Sequence, residues 1–532
     1  MDEMADVLII GGGAAGAAVA KSLGERGVRV VCLEQGDWFE RKDLPKAHLD
    51  WEVRGRRYWA PNPNVRRWAA DYPVLSYGDD PIDPYMYNAV GGSTIGFAGN
   101  YWRQAPSDFR VRTLDGVAVD WPLSYDELAP YYDQNERLLG VAGLTGDPCG
   151  PPRNPTLLPP VPLGPQGRLL VDGFERLGWY WWPTELSIAT ARHNGRPACD
   201  NRGYCPFGCP EGSFSTADVT YWPAALKNGV RLRTRARVRE ITLDCEGRAQ
   251  GALYYDEEGR IHDMRAAVVV LCGNGIGTPR LLLLSNSSRH RHGLANSSGL
   301  VGKNLMVHIQ TFAVGLFNDR VDAWRGTWGG TVSTRQFYET DPSRDYLRGF
   351  IMSGAMGWSP LNLASQLAPW GAGHHQVMDE RLNHEVAMYL CGEDLPREHN
   401  RVELDWDHPD DFGMPGARTF YSLDDNSKRM GADMVRRAYQ VLEAAGAVSV
   451  RDFGFSPVLG WHLMGTARMG HDPATSVVDA HNRAHDVPNL FIVDGSSMPT
   501  GAGVNPTSTI QALALRCADY IWQERRAWQA PS

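Results

Sequence analysis

The chain has 532 residues, more than one compact core can organise, so two closely joined domains are expected. Its formal net charge of −9 disfavours a nucleic-acid-binding protein, which needs a concentrated positive face, and no apolar run approaches the roughly 20 residues that span a bilayer. Residues 1–6 are few and acidic with no secretory pattern, and most of the nine cysteines are scattered, so a small-molecule enzyme in the cytoplasm is expected, with no nucleic-acid partner and no membrane span.

Val7-Leu8-Ile9-Ile10 is an apolar run ending in glycines, residues 14–23 are alanine-rich, and residues 28–33 form a second apolar run. Strand, helix, strand is predicted, with both strands buried in a parallel sheet. Gly11-Gly12-Gly13-Ala14-Ala15-Gly16 matches G-x-G-x-x-G at the strand-to-helix turn, the context in which that motif cradles a pyrophosphate on a helix N-terminus. Glu34, with Gln35 beside it, closes the second strand, where a carboxylate accepts from the ribose hydroxyls of an adenosine. This fingerprint alone does not separate NAD from FAD.

Residues 40–85 are rich in Trp, Arg, Asn and Pro without a period and are predicted to wander over the surface as a functional or lid-like loop. Arg54, Arg56, Arg57, Arg66 and Arg67 read as a solvated or interdomain face, and Trp51, Trp59 and Trp68, like the run from Trp179 to Trp182, receive no substrate role. In Val90-Gly91-Gly92-Ser93-Thr94-Ile95-Gly96, two adjacent glycines let the backbone lie flat against a ligand, although Gly-Gly-Ser-Thr by itself is an ordinary turn. Seven prolines in residues 151–167 exclude a helix or central strand and predict a linker at a domain boundary.

Cys199, Cys205 and Cys209 fall within eleven residues. Three thiolates can ligate an iron–sulfur cluster, while a disulfide or an inert loop competes; the lack of a fourth nearby cysteine weighs against a cluster and further against zinc. His374-His375 lacks partner spacing and reads as a solvated loop, so no metal site is expected there. Residues 266–271 and 490–493 read as further buried strands, and Pro506 starts a helix over 507–522, so the cofactor sheet draws on separated segments.

Between those last elements lie Trp461-His462-Leu463-Met464-Gly465-Thr466-Ala467-Arg468-Met469-Gly470 and Gly503-Val504-Asn505-Pro506-Thr507. A histidine titrating near neutrality, such as His462, is suited to take a proton as a general base. Asn505 can donate to the substrate oxygen and orient the reacting C–H, without exchanging protons. The competing readings are a core histidine bonded to a carbonyl and a turn asparagine before proline.

In this order, together with Asp120-Trp121-Pro122-Leu123-Ser124-Tyr125-Asp126-Glu127-Leu128, Gly277-Thr278-Pro279-Arg280-Leu281-Leu282-Leu283-Leu284-Ser285 and the stretch from Asp494 through Thr509, these motifs resemble the glucose–methanol–choline (GMC) family of FAD-dependent oxidoreductases over essentially the whole chain. The resemblance implies an α/β fold: a discontinuous Rossmann-like FAD-binding domain (1–110, 215–310 and 455–532) and an α+β substrate domain with an antiparallel sheet (111–214 and 311–454). It implies FAD contacts at Gly11, Gly13, Ala15, Gly16, Glu34, Gln35, Gly91, Gly92, Ser93, Thr94, Val238, Asp494, Pro506 and Thr507. It also implies that His462 is the catalytic base and Asn505 the second catalytic group, and that the helix after Pro506 turns its positive end toward the flavin.

The His and Asn pairing is similar to that of pyranose oxidases, glycoside 3-oxidases and sugar dehydrogenases, so the expected substrate is a secondary hydroxyl of a sugar or glycoside. The same chemistry on an aminoglycoside, sterol or aromatic alcohol is the alternative, followed by a non-redox lyase of the same fold and by a cofactor-binding subunit serving a partner. O2 and another electron acceptor are both open. Gly96 stands where some sugar-oxidising members carry a histidine that tethers FAD, so non-covalent FAD is expected; Asn274, Gly275 and Asn286 also depart from the family pattern. Some multi-subunit sugar dehydrogenases of the family carry an iron–sulfur cluster in a corresponding cysteine-rich segment.

Overall fold

The structure, a computed structural model, describes residues 4–39, 59–154, 157–203, 205 and 208–528. The strand Ala5–Ile10 (β1) has almost no polar side chain to leave in water, and it takes the middle of a sheet covered on both faces. It pairs in parallel with Val30–Leu33 (β2) on one side and with the last six residues of Ile261–Leu271 (β6) on the other. Arg231–Arg233 (β3) adds beyond β2, and the C-terminal strand Leu490–Ile492 adds beyond β6, both in parallel. Helix Ala14–Gly24 (α1) crosses from β1 to β2 and packs on the C-terminal helix Thr507–Gln523 (α7) and on Ala217–Lys227 (α4).

β6 changes partners where its sequence changes character. Its first half, residues 261–265, is exposed except at buried Met264 and pairs antiparallel with Ala249–Tyr255 (β5), which pairs in turn with Arg237–Leu243 (β4). Its second half is apolar throughout and enters the parallel sheet.

A second sheet is antiparallel, in the order Ser449–Asp452 (β11), Ile309–Leu316 (β7), Glu385–Gly392 (β10), Phe350–Ala355 (β9), Gly329–Thr334 (β8) and the short Trp182–Pro183. Side chains alternate across β10 as the pleat requires. Val386, Met388 and Leu390 join a core with the helices Gly164–Arg176 (α3) and Asp425–Ala444 (α6), whereas Ala387, Tyr389 and Cys391 face Ala502 and Val504 before α7. Val74–Tyr77 pairs with Pro415–Phe420, which ties the N-terminal third to this second half. Among the described residues no helix is long and apolar enough to cross a membrane.

Four expectations need correction. Residues 40–58, with Trp51, Arg54, Arg56 and Arg57, lie outside the described residues, but 59–85 is no surface excursion: Trp59, Tyr72, Val74 and Ile82 are buried. Arg66 is likewise not a solvated charge; it is buried, pairs with Asp71 at 2.6 Å and stacks over Trp68 and Tyr87. The proline-rich stretch does admit a helix at its end, because α3 starts at Gly164 with Pro165 in its first turn, where no N–H partner is lost. His374 and His375 begin the surface helix His374–Arg381 rather than a loop.

Arg348 joins distant segments. Its buried guanidinium donates to Glu393 at 2.7 Å, to Asp115 at 3.0 Å and to Asp108.

Candidate active site

A long cleft, enclosing about 1970 Å³ including its open mouth, runs from Glu34 and Val238 past the start of α1 to His462 and Asn505. Its first wall is the turn after β1. Gly11 has φ +102°, and a Cβ there would come 2.4 Å from the Cys272 carbonyl oxygen; a Cβ on Gly16 would come 1.9 Å from the Gly11 carbonyl oxygen. Only glycine permits this tight turn from β1 into α1. The turn at Gly91-Gly92 meets it directly: the Gly91 N–H donates to Gly12 O at 2.9 Å, and a Cβ on Gly92 (φ +54°) would lie 2.7 Å from Gly13 Cα.

Of the residues expected to touch a cofactor, Gly11, Gly13, Ala15, Glu34, Gln35, Gly92, Ser93, Thr94, Val238, Asp494, Pro506 and Thr507 line the cleft, together with His462 and Asn505. Gly16 and Gly91 do not line it; they supply the close backbone approaches just described. Several lining side chains are already committed to the protein. Thr94 Oγ1 donates to Gly91 O at 2.6 Å and accepts from Ala217 N–H, while Asp494 accepts from the N–H groups of Asn274 and Ser496 and from the Thr278 hydroxyl. Asn274, a departure from the family pattern, has φ +68° and accepts from the N–H groups of Ile276 and Gly277 at the start of Asn274–Leu284 (α5).

Glu34 accepts from Gly12 N–H at 2.6 Å and from Gly36 N–H at 2.8 Å, so it braces the turn after β1 as well as lining the cleft. Burial pushes its carboxyl up to about 7, with the backbone N–H donors pulling in the opposite direction.

The cleft fits an extended dinucleotide. Neither N-cap residue, Gly13 before α1 nor Pro506 before α7, supplies a capping side chain, so among the described residues the first N–H groups of both helices are open to an anionic or carbonyl-bearing ligand. A Cβ at Gly96 would come 2.6 Å from the Tyr87 ring, which leaves no room for a tethering histidine at that position unless Tyr87 moves.

At the far end, His462 is buried and makes two contacts. Its Nδ1 lies 2.8 Å from His308 Nδ1, and its Nε2 lies 3.0 Å from Asn505 Nδ2. Desolvation holds the His462 pKa well below the ordinary imidazole value, and the neighbouring His308 adds to the effect, so the ring is neutral at neutral pH. Asn505 Oδ1 is buried without a hydrogen-bond partner among the described residues. Phe312, Trp328, Ala355, Met356, Tyr389 and Trp461 are among the apolar or aromatic residues lining the cleft. Gln310 is polar but spent, with its amide donating to Val307 O and Leu459 O and accepting from the Tyr389 hydroxyl.

Sequence reasoning missed His308 and these wall residues. Met-Val-His-Ile carries no recognisable spacing, and wall residues from antiparallel strands carry no motif. The three clustered cysteines are free thiols in one small core with Phe97, Trp328 and Phe214, and burial pushes the Cys205 thiol up to about 12. Phe97 and Trp328 also line the cleft, so the cysteines stand one aromatic layer behind it.

A family model described as GMC oxidoreductase matches residues 5–310, and a second of the same description matches residues 396–514. The chain is 43% identical to 2-methyl-1,2-propanediol dehydrogenase of Mycolicibacterium austroafricanum, covering 98% of this chain and 95% of that protein. It is 31% identical to the fructose dehydrogenase large subunit of Gluconobacter japonicus, covering 97% of each. The solved structure of pyridoxine 4-oxidase from Mesorbium loti matches with a TM-score of 0.67 at 17% identity, covering 98% of this chain and 99% of that one, a likeness of fold.

Proposed function

The chain belongs to the GMC oxidoreductase family, whose members act on CH–OH groups with FAD, and from that premise we propose that His462 and Asn505 oxidise a small alcohol in the cleft. The observation that carries this reading is a neutral, buried imidazole whose Nε2 faces an amide N–H at 3.0 Å, at one end of a dinucleotide-sized cleft. FAD bound there supplies the hydride acceptor. A substrate hydroxyl entering between the two side chains gives its proton to His462 Nε2, while Asn505 Nδ2–H donates to its oxygen. The contact between His462 and Asn505 opens to admit that oxygen, and the dry walls keep water from competing for the same donor and acceptor.

The substrate reading follows from the walls. A sugar presents a ring of hydroxyls that each need a partner on burial, whereas Gln310 on the cleft wall is already committed and Asn100 Oδ1 and Asn505 Oδ1 are the few buried acceptors left unpartnered among the described lining residues. We therefore favour a small branched alcohol or 1,2-diol, in keeping with the name of the 43%-identical relative. The sugar or glycoside expected from the His and Asn pair is the second reading, supported by the likeness to a fructose dehydrogenase subunit. Anaerobic bleaching of the flavin by short 1,2-diols, sugars, aminoglycosides, sterols and aromatic alcohols ranks these, and cyanohydrin cleavage without bleaching would mark a lyase instead. Peroxide yield against dye reduction then separates O2 from another acceptor. His462→Ala is expected to bind FAD and to lose about 10²–10⁴ in the rate of substrate-driven bleaching; an unchanged rate would remove His462 from the base role.

The same proposal includes non-covalent FAD, supported by the crowding at Gly96, and the cofactor contacts set out above. It includes the division into a cofactor-binding part (1–110, 215–310, 455–532) and a substrate-covering part (111–214, 311–454), which the two sheets support through their strand membership, although Val74–Tyr77, paired with Pro415–Phe420, shows that the parts interleave. An iron–sulfur cluster at Cys199, Cys205 and Cys209 remains the minor addition, since no fourth cysteine stands nearby in the sequence and burial raises the Cys205 thiol. Iron and acid-labile sulfide in the purified protein test it.

A further inference from the structure

We propose that His308 is a positioning residue that dictates which nitrogen of His462 carries the proton; this rests on the reading of His462 as the base. The argument is a count of donors and acceptors. His308 Nε2 lies 3.0 Å from the Gly501 carbonyl oxygen, which can only accept. The proton of neutral His308 is therefore on Nε2, and its Nδ1 is bare. That bare Nδ1 lies 2.8 Å from His462 Nδ1, so His462 carries its own proton there and donates it. His462 Nε2 is left with a lone pair directed to the side of Asn505, whose Nδ2–H donates to it at 3.0 Å. The opposite tautomer of His462 would set two bare Nδ1 atoms against each other at the same 2.8 Å and turn an N–H toward the place where the base must accept.

The backbone builds this pairing. Met306 and Met464 form an antiparallel bridge, each N–H donating to the other's carbonyl at 3.0 Å, and two residues further along, His308 and His462 stand opposite one another as cross-strand partners. His308 is held at φ +67°, a conformation that non-glycine residues adopt rarely and that aims its ring at both Gly501 and His462.

An imidazole in this place does something a carboxylate would not. An anion at His462 Nδ1 would favour the imidazolium and use up the base, whereas neutral His308 sets the tautomer and leaves the base uncharged. The titratable groups facing His308 preserve that neutrality. They are His462 itself and the Cys391 thiol, 3.5 Å from His308 Nδ1 and pushed up to about 12 by burial, while Asp394 is engaged with the neighbouring Val307 N–H. Burial draws His308 down to about 4, so neither ring is charged at neutral pH.

The test uses the FAD-loaded enzyme with ¹⁵N-labelled histidine. The wild-type spectrum is expected to show His462 with a protonated Nδ1 and a bare Nε2, and a dominant Nε2-protonated His462 overturns the proposal whatever the kinetics. His308→Phe, checked for bound FAD, is expected to lose on the order of 10² in the rate of anaerobic flavin reduction with substrate affinity little changed. His308→Gln, whose carbonyl can still accept from Nδ1–H, is expected to retain more of the rate. His308→Glu is expected to move the acid limb of the rate profile to higher pH. Wild-type rates in His308→Phe also overturn the proposal. If instead His462→Ala bleaches normally, the base assignment fails, and the nitrogen spectrum still reports on the tautomer.

Discussion

At the scale of single residues, His462 is set apart by how thoroughly it is shielded. Most histidines titrate near 6.5 and would be part-protonated just below neutrality. Burial and His308 lower the His462 pKa, and the sign of the consequence is fixed: a base whose folded pKa is depressed stays unprotonated, and so competent, down to a pH below the usual imidazole value. The anaerobic flavin-reduction rate is therefore expected to hold level through pH 6.5, with its acid limb below that value. A limb at or above it would contradict the buried, neutral base. That His462 and Asn505 would meet in the cleft was legible because each sits in a glycine-rich string of known spacing. His308 was not, because its role depends on a side-chain contact between positions 154 residues apart, set up by the Met306–Met464 backbone bridge, and no local pattern encodes that. Arg66 was misread for a related reason: an arginine among arginines looks solvated until the partner, Asp71, and the ring of Trp68 are seen around it.

At the scale of elements, the site is a meeting of turns. The Gly11–Gly13 turn and the Gly91-Gly92 turn touch backbone to backbone, and Gly92 has no space for a side chain. Gly92→Ala combines a left-handed alanine with an overlap against Gly13 Cα, and a strain of about 1–3 kcal/mol is relieved only by parting the turns. FAD affinity is expected to fall by roughly one to two decades, read from the dissociation constant of the flavin. The parallel strands and α1 were readable from sequence because burial on both faces leaves unbroken apolar runs, as in β1 and the second half of β6. The antiparallel sheet was implied by the family likeness but its strands could not be located. Gly329–Thr334 is buried yet built mainly of small and polar residues, and Phe350–Ala355 ends in Ser-Gly-Ala, because α3 packs on one side and the region of the cleft lies on the other. Burial there follows from what covers the strand, which the strand's own sequence does not state.

At the scale of the whole molecule, Arg348 holds three carboxylates from two separate stretches of chain, and none of them has water to turn to. Burial already pushes the Asp108 carboxyl up to about 7 despite the neighbouring cation. Arg348→Met removes that cation and leaves the acids unbalanced, at an expected cost of about 3–5 kcal/mol. The denaturant midpoint at neutral pH reports it. The sign of the pH response is also set: carboxyls with raised folded-state pKa values favour the folded protein when protonated, so the variant should recover stability as pH falls below 7 and lose it as pH rises. A midpoint that does not respond to pH would show that the acids had found other partners.

The parallel sheet has one property with consequences for how the protein is made. Leu490–Ile492 lies against β6, and the helix start at Pro506 and Thr507 stands beside the turn that follows β1. A ribosome has released β1 and α1 long before residues 490–507 exist. The growing polypeptide thus cannot complete the proposed cofactor cleft until residues 490–507 have emerged, and a product terminated before His462 lacks the proposed base and the proposed amide together. Messages cut short anywhere before His462 yield fragments with half a nucleotide cradle and no means of turning over substrate.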